Sequence, residues 1–256
     1  GGAGNAAADT LTVGPSGTYP TIGEAVAAAG AGDTIEVEDG TYNEVVTVNK
    51  GLTIRAVGNG AVVHPTSGKN KGVFMITAGN GVTIEGFQIV VNMPYAFTGV
   101  HVYEYRPTVD NVTVRNCTFT VMQTGAPETP PSNTLPFGSS AGSNTGIVIV
   151  NRQENTGAMT VTIQGNTVGS ASAPFRTMGI ITDYCKGLIG GPNPGDGNTV
   201  YGEDMDISVR FAYDGDMVVE GNMFLGWGDE MNRAAQMDIA NPKVNGRVYV
   251  RNNTFI

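Results

Sequence analysis

Val82 to Val90 reads VTIEGFQIV, and the phrase returns with small changes as VTVRNCTFT from Val112, VTIQGNTVG from Val161, MVVEGNMFL from Met217 and VYVRNNTFI from Val248. Each copy alternates apolar and other side chains, meets a Gly or Asn followed by a turn residue, and resumes with another apolar position. That is a short strand, a sharp bend and the start of a second strand. A degenerate sixth copy is split between Leu188, Ile189 and the GNTV that ends at Val200. A unit this short cannot bury its own apolar face. Stacking copies builds a continuous core, so the repeat specifies a solenoid, and its β-branched alternation specifies a parallel β-helix.

A second alternating strand precedes most of these phrases: GVFMI from Gly72, GVHVY from Gly99, GIVIV from Gly146, GIITD from Gly179, DISVR from Asp206 and QMDIA from Gln236. Successive starts lie 27, 47, 33, 27 and 30 residues apart. A coil of that length holds three short strands and their turns. The long interval contains residues 121–145, rich in Pro, Ser, Thr and Gly, which reads as a loop insertion. The expectation is an all-β, single-stranded parallel β-helix of about seven coils. It forms one domain over residues 1–256, with an extended tail at 1–13, a capping-helix region at 14–33 and coils over 34–256.

The net charge is −9, with charged residues at 14% and 37 glycines. No Lys/Arg cluster is present to neutralise phosphates, which argues against nucleic acid as a partner. No apolar run approaches the ~20 residues needed to span a bilayer, and no basic start leads into an apolar stretch. The opening GGAGNAAADTLTV lacks Met and reads as a processed or cut start. Cys117 and Cys185 are too few for a disulfide framework and read as buried thiols. Low thiol content with abundant Thr, Asn and Gly fits an exported protein, extracellular or at the cell surface.

Residues 13–57 read VGPSGTYPTIGEAVAAAGAGDTIEVEDGTYNEVVTVNKGLTIRAV. Ile22, Ala25, Val26 and Ala29 share one helical face ahead of a Gly-Asp turn and three short strands, as expected of a cap over the first coil. Thr21, Ile22, Ala25 and Val26, with Gly40, Tyr42 and Glu44, resemble the N-terminal cap of the pectin-lyase-like superfamily, above all the opening of pectin methylesterases. The resemblance implies a right-handed β-helix over nearly the whole chain. The chain shows no counterpart of the methylesterase Asp, Gln and Arg motifs, the paired-Asp and Gly-His-Gly set of polygalacturonases, the pectate-lyase Trp-x-Asp-His run or the Asp-Pro-His of alginate epimerases. Fold does not carry function across such a superfamily, so no catalytic residue transfers.

Aligning the phrases places Phe87, Cys117, Asn166, Asn222 and Asn253 in one column, joined by Asn198 from the degenerate coil. Asn tolerates a left-handed bend and can bond the amide on the next coil, so Asn166, Asn198, Asn222 and Asn253 are expected to form a ladder. Aligning the other strand gives its outward positions: His101 and Tyr103, Val148 and Val150, Ile181 and Asp183, Ser208 and Arg210, Asp238 and Ala240. Asp183 and Arg210 then neighbour each other, with Asp238 one coil beyond, a patch suited to acid-base chemistry on a sugar chain or to an ordinary surface ion pair. His101, Tyr103 and Arg106 lie in the densest polar-aromatic cluster, either a carbohydrate platform or a solvated strand end. Asp204, Asp206, Asp214 and Asp216 are oxygen donors in turns that could hold Ca²⁺, although their spacing matches no known calcium loop; no other cofactor is indicated.

Two functional classes follow. The first is a non-catalytic surface β-helix that self-associates end to end or acts as an adhesin, with itself or a cell-surface polysaccharide as partner. Its basis is a final strand with Val250 and Phe255 uncovered by any later coil, and a tail strand carrying Leu11 and Val13 that a neighbouring subunit could receive. The alternative is a polysaccharide lyase, hydrolase or esterase working through Asp183, Arg210 and Asp238.

Overall fold

The computed structural model describes residues 7–104, 109–124, 126–131, 134, 141–151, 159–210, 212, 214–226, 237–240 and 246–256; at Tyr103, Glu104 and Met237–Ala240 it describes the backbone only. Three parallel sheets run the length of the molecule. Sheet A stacks nine strands, from Thr10–Val13 through Val82–Glu85 and Met159–Gln164 to Val248–Arg251. Sheet B stacks eight, from Gly40–Tyr42 to Thr254–Phe255, and sheet C stacks seven, from Val46–Val48 to Met237–Ala240. The chain visits A, B and C in turn, so seven complete coils lie between the first strand of A and the final A–B pair. This is the parallel β-helix that the repeat specifies.

Inward positions repeat from coil to coil and stack in rows. Ile54, Ile84, Val114, Ile163, Ile189 and Val219 line the inside of sheet A, all at 0% exposure. Phe119, Val168, Val200 and Phe224 do the same from sheet B. The helix Ile22–Ala28 closes the first coil with Ile22, Ala25 and Val26. Thr21 caps it through its hydroxyl, which accepts from the Glu24 N–H. Glu44 then reaches across from the coil to accept the N–H groups of Ile22 (2.8 Å) and Gly23 (2.9 Å), satisfying donors that a helix start leaves open. The Gly-x-Tyr-x-Glu signature is thus explained by anchoring: Tyr42 donates its hydroxyl to the Glu38 carbonyl, and Glu44 holds the cap.

The corner between sheets A and B carries the amide ladder. Asn166 donates its side-chain amide to the Val114 carbonyl and to Asn198 Oδ1; Asn198 donates to Ile163 and Asn222; Asn222 donates to Ile189 and Asn253. Each Oδ1 also accepts the backbone N–H of the preceding rung, beginning with Cys117, at 2.9–3.0 Å. Cys117 continues the column with its thiol toward the Ile84 carbonyl, and burial pushes that thiol up to about 12. The left-handed bend belongs to the residue before the ladder, not to the ladder asparagine itself: Gly86, Asn116, Gly165, Gly221 and Asn252 take positive φ. Moving the strain one residue back frees the Asn side chain to point inward.

The tail strand that sequence assigns to a neighbouring subunit is paired within its own chain. Thr10–Val13 pairs in register with Thr34–Val37 of its own chain, Val13 is fully buried and Leu11 packs against the core. Val250 and Phe255 on the last coil are 42% and 46% exposed.

Candidate functional site

The connections locate the variable side of the molecule. At the A–B corner most coils use two residues: 86–87, 116–117, 165–166, 221–222 and 252–253. Connections into sheet C range from 43–45 to 124–144, and those out of it from the single residue 184 to 241–247. In a solenoid, insertions gather on the side that meets partners. Among the described residues, the 124–144 connection is tied to coils on both sides: Glu128 pairs with Lys69 (2.9 Å), while Arg176 donates through Nη1 to the Ala141 carbonyl (3.1 Å) and through its backbone N–H to Asn144 Oδ1 (2.8 Å).

The outward face of sheet C lies between these connections, and over its middle strands it is covered. His101, Val148, Ile181 and Ser208 fall in one row with 0% exposure, and Val150 and Asp183 in the next with 0% and 2%. Val148, Val150, Met178 and Ile181 pack together, with Met205 against them, as a second apolar cluster outside the coil. Among the described side chains both faces of the middle strands of this sheet are therefore dry, the situation of parallel strands with a layer on each side, while Thr47 on its first strand is exposed and Arg210 half-buried.

Each sequence-predicted site residue can now be placed. Asp183 and Arg210 are register partners on adjacent strands, Asp183 buried and Arg210 half-buried. Asp238 aligns with Ser208, whereas Arg210 aligns with Ala240; the Asp238 side chain lies outside the described residues. The carbohydrate-platform reading of His101 is corrected: its ring is buried beside Thr98, with Nδ1 3.3 Å from the hydroxyl, and cannot meet a sugar. The Tyr103 side chain and Arg106 lie outside the described residues. The calcium candidates do not form one site. Asp204 and Asp206 lie at the start of strand Met205–Arg210, Asp214 and Asp216 beyond its end. Asp206 Oδ1 is buried and accepts the Gly202 N–H, and Asp216 pairs with Arg247. Among the described residues, no three His, Cys, Asp or Glu side chains gather as a metal would require.

Burial, reinforced by the nearby positive charge of Lys71, depresses the His101 imidazole from 6.5 to about 3. Above pH 6.5 the ring is neutral folded or unfolded and costs nothing. As pH falls below that value only the unfolded chain takes the proton, so stability drops by up to about 1.4 kcal/mol per pH unit until the folded ring titrates. Denaturant titrations between pH 7 and pH 4 are expected to show this slope in the native chain and a shallower one in His101→Gln. Parallel curves would mean that the ring is not buried.

Sequence reasoning passed over one further column. Glu36, Arg55, Glu85, Arg115 and Gln164 stand side by side on the outward face of sheet A, beside a threonine row of Thr34, Thr53, Thr83, Thr113 and Thr162. Arg55 pairs with Glu36, and Arg115 with Glu85 at 3.0 Å. The fourth letter of the repeat phrases, Glu85, Arg115, Gln164, Glu220 and Arg251, carried that signal by alternating acid and base except at Gln164.

No protein-family model matches the chain, and no curated protein matches it in sequence. Two crystal structures of pectin methylesterase from Aspergillus niger are similar to it in backbone. The penultimately deglycosylated form aligns with 97% of this chain and 86% of that chain at 13% identity and a TM-score of 0.45. The deglycosylated form gives the same coverage at 14% identity and a TM-score of 0.43.

Proposed function

We propose that this chain is a non-catalytic binding solenoid that acts outside the cell and holds a polysaccharide on the sheet C side. The observation that supports this reading is the closed outer face of sheet C over its middle strands. A general acid or base must come within hydrogen-bond reach of the bond it works on. Asp183 at 2% exposure, set beside Val150 and near Ile181 and Met178, is walled off from a polymer. A ligand on this side meets the connections instead, and loops on a rigid scaffold are where recognition is commonly built. Among the described residues no helix is long and apolar enough to cross a membrane.

The test separates binding from turnover. Affinity electrophoresis through gels containing pectin, alginate, xylan or glucomannan is expected to retard the protein in at least one polymer. The same mixtures should release no new reducing ends, unsaturated sugars or methanol. Product formation that Arg210→Ala abolishes would overturn the reading and install the enzyme alternative with Asp183, Arg210 and Asp238.

A further inference from the structure

We infer that a groove on the opposite side of the molecule, at the corner between sheets A and B beside residues 57–60, binds neutral sugar units. It goes beyond the polysaccharide-binding reading by naming a second place, away from the sheet C side, and a ligand class for it. The groove arises because the connection after Thr53–Ala56 has four residues where the next two coils use two. The longer connection juts out over the neighbouring corner and leaves a concavity of about 510 Å³ lined by Arg55, Val57, Asn59, Glu85, Gly86 and Asn116, among others. That volume is within the range of small-ligand sites.

The wall is held from both sides. Asp39, on the preceding coil, accepts the Gly60 N–H at 2.8 Å, and Gln88, on the following coil, donates to the Asn59 carbonyl at 2.8 Å. A wall fixed before the ligand arrives spares the ordering cost of binding. Neither the Asn59 nor the Asn116 side chain has a hydrogen-bond partner among the described residues, so both amides can serve a ligand.

The lining selects the chemistry. Two amides, a guanidinium and a carboxylate offer donors and acceptors together, which hydroxyl groups can match in either role. Val57, 56% exposed, offers an apolar patch for the C–H side of a sugar ring, and Gly86, at φ +81°, brings bare backbone to the surface. An anionic sugar is disfavoured. Arg55 stands between Glu36 and Glu85 in the sheet A column and already pairs with Glu36, so the groove holds no surplus positive charge.

The experiment is an amide-resolved NMR titration of the whole chain with xylo-, cello-, manno- and malto-oligosaccharides, and with trigalacturonate as the charged comparator. The expected result is saturable shifts at residues 56–60, 86 and 116 with at least one neutral series. Asn116→Gly, which keeps the left-handed backbone that glycine adopts freely, and Asn59→Ala should each weaken binding about tenfold, equivalent to about 1.4 kcal/mol. The inference is overturned by any of three results: no saturation at up to about 10 mM of any neutral series, tighter binding of trigalacturonate, or undiminished affinity in both variants. Gel retardation of the unaltered protein reports on the polymer-binding reading separately, so the two can fail independently.

Discussion

Replacing Asn222 by leucine is expected to lower stability by about 3 kcal/mol, because each buried polar group left unpaired costs roughly 1–3 kcal/mol. The Asn222 amide occupies the middle of a chain of bonds. Its Oδ1 accepts the backbone and side-chain amides of Asn198 at 3.0 and 2.9 Å, and its Nδ2 donates to the Ile189 carbonyl at 3.0 Å and to Asn253 Oδ1 at 2.9 Å. Leucine is similar in shape but returns none of these, and at 2% exposure water cannot substitute. Asn253→Leu should cost clearly less, since that rung is only partly buried and has solvent on one side. Urea titrations of both variants decide the matter. Equal stabilities for Asn222→Leu and the unaltered protein would remove the ladder from the energetics. Because rungs share partners, the double variant Asn198→Leu/Asn222→Leu should cost less than the two singles combined.

Gly179→Ala is expected to be at least as damaging, about 3 kcal/mol or more, for the opposite reason. A Cβ at this position would sit 2.1 Å from Val200 Cγ1 and 2.8 Å from the Asp206 carbonyl oxygen. Overpacking a filled core typically costs 1–3 kcal/mol, and here part of the obstacle is backbone, which cannot turn aside. Gly99 and Gly146 hold the same place one or two coils away, against Phe119 and Val168. Bare glycine at the second position of three successive sheet C strands, those beginning at Thr98, Thr145 and Met178, is what allows the chain to turn closely over the sheet B core there. Gly30→Ala provides the control: the same added methyl would meet Asp33 Oδ2 at 3.4 Å, an ordinary contact, and should change stability by less than about 0.5 kcal/mol. Similar melting temperatures for the two variants would show that the glycine column is not a packing requirement.

Much of the fold was legible because a solenoid repeats one local decision. The ladder column could be read by aligning five phrases, since each coil sets its Asn by the same strand and bend; even Asn198, displaced by the 191–197 connection, returns to the column. The cap was legible from the spacing of Ile22, Ala25 and Val26. The candidate site was less so. Alternation gave the outward positions of sheet C but not their cover, although the runs GIVIV and GIITD, apolar on both parities, were themselves a signal of a strand buried on both faces.

Period, strand order and the amide column were determined by the sequence alone, because each depends on contacts between equivalent residues of adjacent coils. Tertiary structure decided what non-equivalent segments do to one another. It put Leu11 and Val13 onto their own Ile35 and Val37, buried His101 and Asp183 beneath the sheet C side, and opened the Arg55 groove where one connection outgrew its neighbours. These outcomes have no periodic signature. They depend on how connections of unequal length fold back over a regular stack, and that path is set by packing between residues with no common place in the repeat.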